Sequence, residues 1–139
     1  PYSVAAHSLA LYQYGRFELG IKDPGELAWA LLHDAAEAYL GDLPSPIKKI
    51  MPSFCELEDK LLAVIAEKFQ LPEEMPQWLK IADKQIVHVE ADRLFRVKPD
   101  WTREIEVSGL NVYGYDINVI RYIFKLRLKK VLPDENYEG

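Results

Sequence analysis

The sequence predicts an all-α domain, because the same helix signals recur along its 139 residues. Apolar residues return three and four positions apart in several segments. Two segments open with helix-start patterns, Asp-Pro-Gly-Glu at 23–26 and Ser53 followed by Glu56, and glycine or proline separates the segments. Hydrophobic residues make up 49% of the chain, enough for one core. We therefore expect a single domain over residues 1–139.

The predicted elements follow one another with short breaks. The second helix has Asp23 as its cap and Gly41 as its C-terminal stop, and it is apolar on more than one side, which places it at the centre of the domain. The irregular segment 98–115 contains two strand candidates, 104–107 and 111–115, which would form a short β-hairpin. Helices are predicted over residues 4–19, 26–40, 54–69, 79–97 and 117–132, with one helical turn at 47–50.

Composition excludes several classes of protein. The formal net charge is −5 and there is no long basic run, so a binder of nucleic-acid polymers is not expected. The single cysteine, Cys55, can form neither an internal disulfide nor a cysteine-based zinc site, as is typical of a reducing cytoplasmic setting. No apolar stretch is long enough to cross a bilayer and no signal peptide is visible, so we expect a cytoplasmic protein without a membrane partner.

His33 and Asp34 are the most informative pair in the chain. An imidazole beside a carboxylate near the end of an apolar helix is costly to bury without a partner, and a divalent metal would be a suitable one. Glu37 shares their helix face, being three and four positions further on. Histidine and carboxylate ligands suit Mn, Fe, Co, Zn or Mg. A carboxyl group such as Glu37, just outside the coordination sphere, could orient water or move a proton.

The long helix predicted over 79–97 offers further polar candidates. Asp83 is a fourth potential metal donor, together with His7 upstream. His88 lies five positions beyond Asp83 and so points away from its face. We also assign Glu90 and Asp92 to the wrong helical phase and expect them at the surface or in salt bridges.

These residues carry a resemblance to a known superfamily. The spacing His7, His33-Asp34, Asp83 resembles the H…HD…D signature of HD-domain metal-dependent phosphohydrolases. The run His33-Asp34-Ala35-Ala36-Glu37, followed by Gly-Asp-Leu-Pro-Ser-Pro-Ile-Lys at 41–48, resembles the branch that contains bacterial 5′-deoxynucleotidases. The segment Tyr-Ser-Val-Ala-Ala-His-Ser at 2–8 is similar to a phage branch that includes dATP triphosphohydrolases. The resemblance covers residues 1–95.

The resemblance implies an HD-domain helical bundle with one divalent metal. Its motif assigns the metal ligands to His7, His33, Asp34 and Asp83, the catalytic carboxylate to Glu37, and substrate-binding roles to Asp42 at the sugar and Lys48 at phosphate. From the residues alone, Asp42 could equally be a turn residue and Lys48 part of a solvated face. Family members carry an arginine-bearing segment before the first histidine, so we expect an N-terminal segment to be missing here.

The expected function is cleavage of the 5′ phosphoester of a small-molecule deoxynucleotide. The phage-like segment at 2–8 favours a dATP-type triphosphohydrolase, which converts a dNTP into deoxynucleoside and triphosphate. The scarcity of cations around the motif favours the alternative, a deoxynucleoside 5′-monophosphatase. A second alternative is a catalytically inactive regulatory or binding module of the same fold. Apolar aromatic residues in 98–115 predict a homo-oligomer.

Overall fold

Seven α-helices form the described part of the chain, which comprises residues 3–94, 109 and 115–132 of a computed structural model. No strand occurs within these residues, so the predicted all-α class is confirmed. Apart from Gly109 and Tyr115, the hairpin predicted near 104–115 lies outside the described residues. The helices are α1 (Val4–Gln13), α2 (Pro24–Leu32), α3 (Glu37–Leu40), α4 (Ser45–Lys48), α5 (Pro52–Lys68), α6 (Gln77–Leu94) and α7 (Ile117–Val131).

The core is built around α2, as the sequence predicted. All six residues from Leu27 to Leu32 are buried, and α2 packs against both α1 and α7. Leu11 of α1, Leu79 and Ile86 of α6, and Ile120 of α7 belong to the same buried cluster. Burial on all sides explains why α2 lacks a polar face.

The predicted helix over 26–40 is interrupted at His33 and Asp34. Helix α2 ends at Leu32, residues 33–36 form turns, and α3 resumes at Glu37. Within this break the backbone uses tighter bonds three residues apart, from Ala35 N–H to Leu32 O and from Glu37 N–H to Asp34 O, both 3.0 Å. Gly41 then ends α3 with φ +75°, as its predicted role as a stop requires.

The predicted helix over 4–19 also changes form. It is α-helical only to Gln13, after which a π-helical turn spans Tyr14–Glu18, with Leu19 N–H bonded to Tyr14 O at 3.1 Å. Gly15 in this turn is buried against the Trp78 indole, and an added Cβ would lie 2.5 Å from Trp78 Cη2.

The helix start at Asp23 is confirmed, but only half of the expected capping box forms. The Asp23 carboxylate accepts from Glu26 N–H at 2.8 Å. The Glu26 carboxylate instead accepts from Trp78 Nε1–H at 2.7 Å, which joins α2 to α6. The second predicted cap is wrong, because α5 already begins at Pro52 and Ser53 lies inside its first turn. No described helix meets the length and hydropathy that a bilayer crossing requires.

Candidate metal centre and active site

Four donor side chains come together from three parts of the chain. His7 lies on the second turn of α1, whose start is capped by the Ser3 hydroxyl accepting from Ala6 N–H. His33 and Asp34 occupy the break after α2, and Asp83 lies on α6. One ligand atom from each of the four lies within 4.8 Å of the other three. The structure therefore brings together all four residues that the motif assigned to metal binding.

The distances between these atoms suit a small cation. His7 Nε2 lies 3.1 Å from Asp83 Oδ1, 3.5 Å from Asp34 Oδ2 and 3.3 Å from His33 Nε2. His33 Nε2 lies 3.2 Å from Asp34 Oδ2 and 3.6 Å from Asp83 Oδ1. Donors bound at about 2.1 Å from one ion are roughly 3.0–3.4 Å apart in octahedral or tetrahedral arrangements. The distances are at or slightly above this range, so the four residues fit a divalent metal ion.

Both imidazoles are oriented as metal ligands. His33 Nδ1 lies 3.1 Å from the Ala30 carbonyl oxygen, which can only accept, so this nitrogen carries a proton. His7 Nδ1 lies 2.7 Å from Glu90 Oε1 and donates to that carboxylate. In the neutral form each ring then presents the lone pair of its Nε2 to the same point between the two aspartates.

The electrostatics of the cluster also require a positive partner. Burial opposes the charged form of His7 and His33, yet the hydrogen bonds and charges of the surrounding carboxylates outweigh burial and raise the pKa of both imidazoles. Burial likewise opposes ionisation of Asp34 and Asp83, but the two histidines lower the pKa of both carboxyl groups. The site therefore holds its carboxylates ionised and binds positive charge, which protons or a metal ion can supply.

Glu90 was assigned to the wrong helical phase from the sequence, and the structure corrects this. It lies seven positions after Asp83, and seven residues complete about two turns at 3.6 residues per turn. Both carboxylates therefore face α1, where Asp83 contacts Nε2 and Glu90 contacts Nδ1 of the same His7 ring. The expectation of a salt bridge was right, but its partner is a residue of the metal cluster.

Glu37 begins α3 beside the cluster and is half-buried. Burial raises the pKa of its carboxyl to about 7, and the negative charges of Asp34 and Asp42 act in the same direction. A carboxyl group with this pKa can accept and release a proton near neutrality. Such a raised pKa is compatible with a general acid or base.

Lys48 is more than part of a solvated face. Its Nζ lies 2.9 Å from Glu58 Oε1, 3.7 Å from Asp42 Oδ1 and 3.9 Å from Glu37 Oε1. Burial opposes its charge, but the hydrogen bond to Glu58 and the other carboxylates raise its pKa. Glu58 was missed from the sequence, because it lies ten positions away on α5 and no local spacing signals the contact.

A cavity of about 460 Å³ lies beside the cluster. Its lining includes His7, Asp34 and Asp83 together with Glu37, Asp42 and Lys48. This volume lies within the range of small-molecule sites. The arrangement therefore combines four potential metal donors, a carboxyl group of raised pKa and one lysine beside a space of suitable size for a small ligand.

Several known proteins are similar in sequence to this chain. The Escherichia coli (strain K12) protein YfdR is 42% identical over 83 residues, which are 59% of this chain and 42% of that protein. A Rhodobacter capsulatus protein is 39% identical over 128 residues, 80% of this chain and 63% of that one. A protein of Photobacterium profundum named 5′-deoxynucleotidase is 36% identical over 74 residues, 47% of this chain and 38% of its own length. The chain thus covers less than two thirds of each of these relatives.

The family comparison covers more of the chain than the match to the Photobacterium profundum protein does. The sequence family described as 5′-deoxynucleotidase YfbR-like matches residues 2–97, which include every residue of the cavity described above. The match runs from the segment before His7 to the end of α6, so it covers all the elements that supply the site. The chain therefore belongs to the YfbR-like 5′-deoxynucleotidase family of the HD superfamily.

Proposed function

We propose that this chain is a metal-dependent 5′-deoxynucleotidase, which hydrolyses a deoxynucleoside 5′-monophosphate to deoxynucleoside and phosphate. The observation that carries the proposal is the four-donor cluster beside Glu37, whose carboxyl pKa is about 7, at a cavity that Glu37 and three of the donors line. Membership of the YfbR-like family supports it, as do relatives that bear the name 5′-deoxynucleotidase.

His7, His33, Asp34 and Asp83 would hold one divalent cation, whose identity among Zn, Co, Mn, Fe and Mg is not specified by the donor set. When bound, such an ion neutralises phosphoryl charge and acidifies a coordinated water. The protein contributes the geometry, because the donor atoms are already oriented and His33 is buried.

Glu37 would carry the proton transfers. In the proposed reaction the oxygen of water bonds to phosphorus while the bond from phosphorus to the 5′ oxygen breaks. Glu37 would either orient and deprotonate the water or protonate the departing 5′ oxygen. With a pKa of about 7, it can hold or give up a proton at physiological pH.

Lys48 and Asp42 would bind the two polar parts of the substrate. The Lys48 ammonium lies between Glu37 and Asp42 at the cavity wall, where it can pair with phosphate oxygens. Asp42 is 66% exposed and can accept a hydrogen bond from a sugar hydroxyl. These two roles follow the motif 41–48, which includes α4.

The charge of the cavity favours a monophosphate over a triphosphate. Five carboxylates line it, and Lys48 is the one lysine or arginine among its lining residues in the described part of the chain. A triphosphate brings several negative charges and needs more cations than this. The comparisons likewise support the monophosphatase alternative better than the expected dATP triphosphohydrolase, for which the phage-like segment 2–8 was the argument.

A product assay tests the proposal. The full chain, loaded separately with each candidate metal, is incubated with dAMP and with dATP, and the products are separated. Release of phosphate and deoxyadenosine from dAMP, with no triphosphate from dATP, is the expected result. Triphosphate from dATP would select the triphosphohydrolase. Stoichiometric metal without turnover of either nucleotide would select the inactive module.

A further inference from the structure

We propose that Glu90 is a positioning residue for the metal centre, which fixes the ring orientation and tautomer of His7. It lies outside the four-donor group, and the inference does not depend on which nucleotide the enzyme hydrolyses. It depends on the metal cluster alone.

The contact geometry places Glu90 behind the ligand rather than beside the metal position. Its Oε1 lies 2.7 Å from His7 Nδ1, whereas the donor cluster meets the opposite nitrogen, Nε2, 3.1 Å from Asp83 Oδ1. One helix, α6, therefore holds both nitrogens of the same ring through carboxylates two turns apart. This fixes the ring against rotation about its own axis and against a flip.

The hydrogen bond also determines which nitrogen is protonated. A carboxylate can only accept, so Nδ1 carries a proton, and Nε2 is the nitrogen that can offer its lone pair once a cation displaces the proton shared with Asp83. Because the acceptor is charged, the bond is stronger than one to a neutral group and increases the basicity of the opposite nitrogen. The Glu90 side chain is only 17% exposed, which limits screening by water.

His33 provides an internal comparison. Its Nδ1 donates to the neutral carbonyl of Ala30 at 3.1 Å, within its own helical turn. The Nδ1 of His7 instead donates to a side chain on another helix, 83 positions away in the sequence. The metal affinity contributed by His7 is therefore sensitive to substitution of a single residue on α6.

The test measures metal binding in the absence of substrate. Metal-free wild type, Glu90→Gln and Glu90→Ala are titrated with Co²⁺ against a competing chelator, and the visible Co²⁺ spectrum is recorded. Glu67→Gln, at an exposed position of α5, is the matched control. We expect about 10–100-fold weaker binding and an altered spectrum for Glu90→Ala. Glu90→Gln should lose less affinity for Co²⁺, because its amide oxygen accepts the same hydrogen bond without a negative charge. The Glu67→Gln control should match wild type.

Two results would overturn the proposal. Wild-type affinity and spectrum in Glu90→Ala, with a lowered melting temperature, would show that Glu90 only ties α6 to α1. If Glu90→Ala does not fold, the same wild-type affinity and spectrum in Glu90→Gln would be decisive. Failure of dAMP turnover leaves this measurement intact, because no nucleotide is present in it.

Discussion

Glu37 is the residue through which the proposed chemistry is most directly tested. Glu37→Gln keeps the size and polarity of the side chain but removes proton transfer. We expect kcat for dAMP to fall by about 10²–10⁴-fold, while the protein still binds one equivalent of metal. Steady-state kinetics and elemental analysis provide the two measurements.

Glu56→Gln is the control, because Glu56 is exposed on α5 and lies outside the cavity lining. Full activity in Glu37→Gln would exclude a catalytic carboxyl at this position. Loss of metal from Glu37→Gln would instead make Glu37 a ligand.

Asp34 is expected to be essential for metal retention. Its Oδ2 lies within 3.5 Å of both imidazoles, so Asp34→Asn removes one negative charge from the donor set. After dialysis, we expect Asp34→Asn to retain well below one equivalent of metal per chain, as measured by elemental analysis. Asp42→Asn changes the same cavity outside the donor group and should retain metal. Equal metal content in the two variants would refute the assigned ligand set.

At the scale of single residues, the sequence predicts those site residues that short-range spacing or a known motif identifies. His33, Asp34 and Glu37 are local neighbours, and the motif supplied His7 and Asp83. The structure brings the four donors together and places Glu37 on the cavity that three of them line. Glu90 was accessible from spacing, since it lies two turns from Asp83, but its phase was judged wrongly. Glu58 was not accessible, because its contact with Lys48 joins two helices through a loop.

At the scale of the elements, the sequence predicted the positions of the helices better than their local backbone geometry. The periodic pattern over 4–19 continues through both the α-helix and the π-helical turn, because one inserted residue hardly changes a short apolar pattern. The break at 33–36 is likewise invisible, since residues in tight turns keep nearly helical spacing. The break at 33–36 contains His33 and Asp34, and the π-helical turn contains Gly15, which packs against the Trp78 indole.

Gly15 tests the packing of the π-helical turn. An added methyl group would collide with the Trp78 indole, which a hydrogen bond to Glu26 holds in place. We expect Gly15→Ala to lower the free energy of unfolding by about 1–3 kcal/mol, measured by chemical denaturation. Trp78→Leu in the same background should remove the collision, so the two substitutions should be non-additive. Strictly additive effects would show that the collision with Trp78 does not cause the loss of stability in Gly15→Ala.

At the scale of the whole molecule, the packing of the helices brings the four potential metal ligands together. Helix α2 is buried and places His33 at the end of the core, while α1 and α6 supply His7 and Asp83 from either side. Three elements distant in sequence must be packed before the donor atoms meet. Self-association through 98–115 stays a prediction, since those residues lie outside the described ranges except for Gly109 and Tyr115.

Because the site forms only in the folded chain, metal binding should stabilise the whole molecule. A ligand at 100 times its Kd adds about 2.7 kcal/mol to the free energy of unfolding. Thermal melting of chelator-treated and reloaded protein measures this gain. An equal melting temperature at every pH would show that the cluster does not bind the ion in the native state.

The size of this gain should depend on pH through the two imidazoles. Their pKa values in the metal-free protein are raised from 6.5 to about 10 for His7 and about 9 for His33. A raised pKa stabilises the folded state below the unfolded value near 6.5, and this contribution is lost as pH rises through the folded values. Metal must displace these protons, so its binding strengthens over the same interval. We therefore expect the melting-temperature difference between loaded and metal-free protein to widen from pH 6.5 to 8.5, and a constant or narrowing difference would contradict ligation by the histidines.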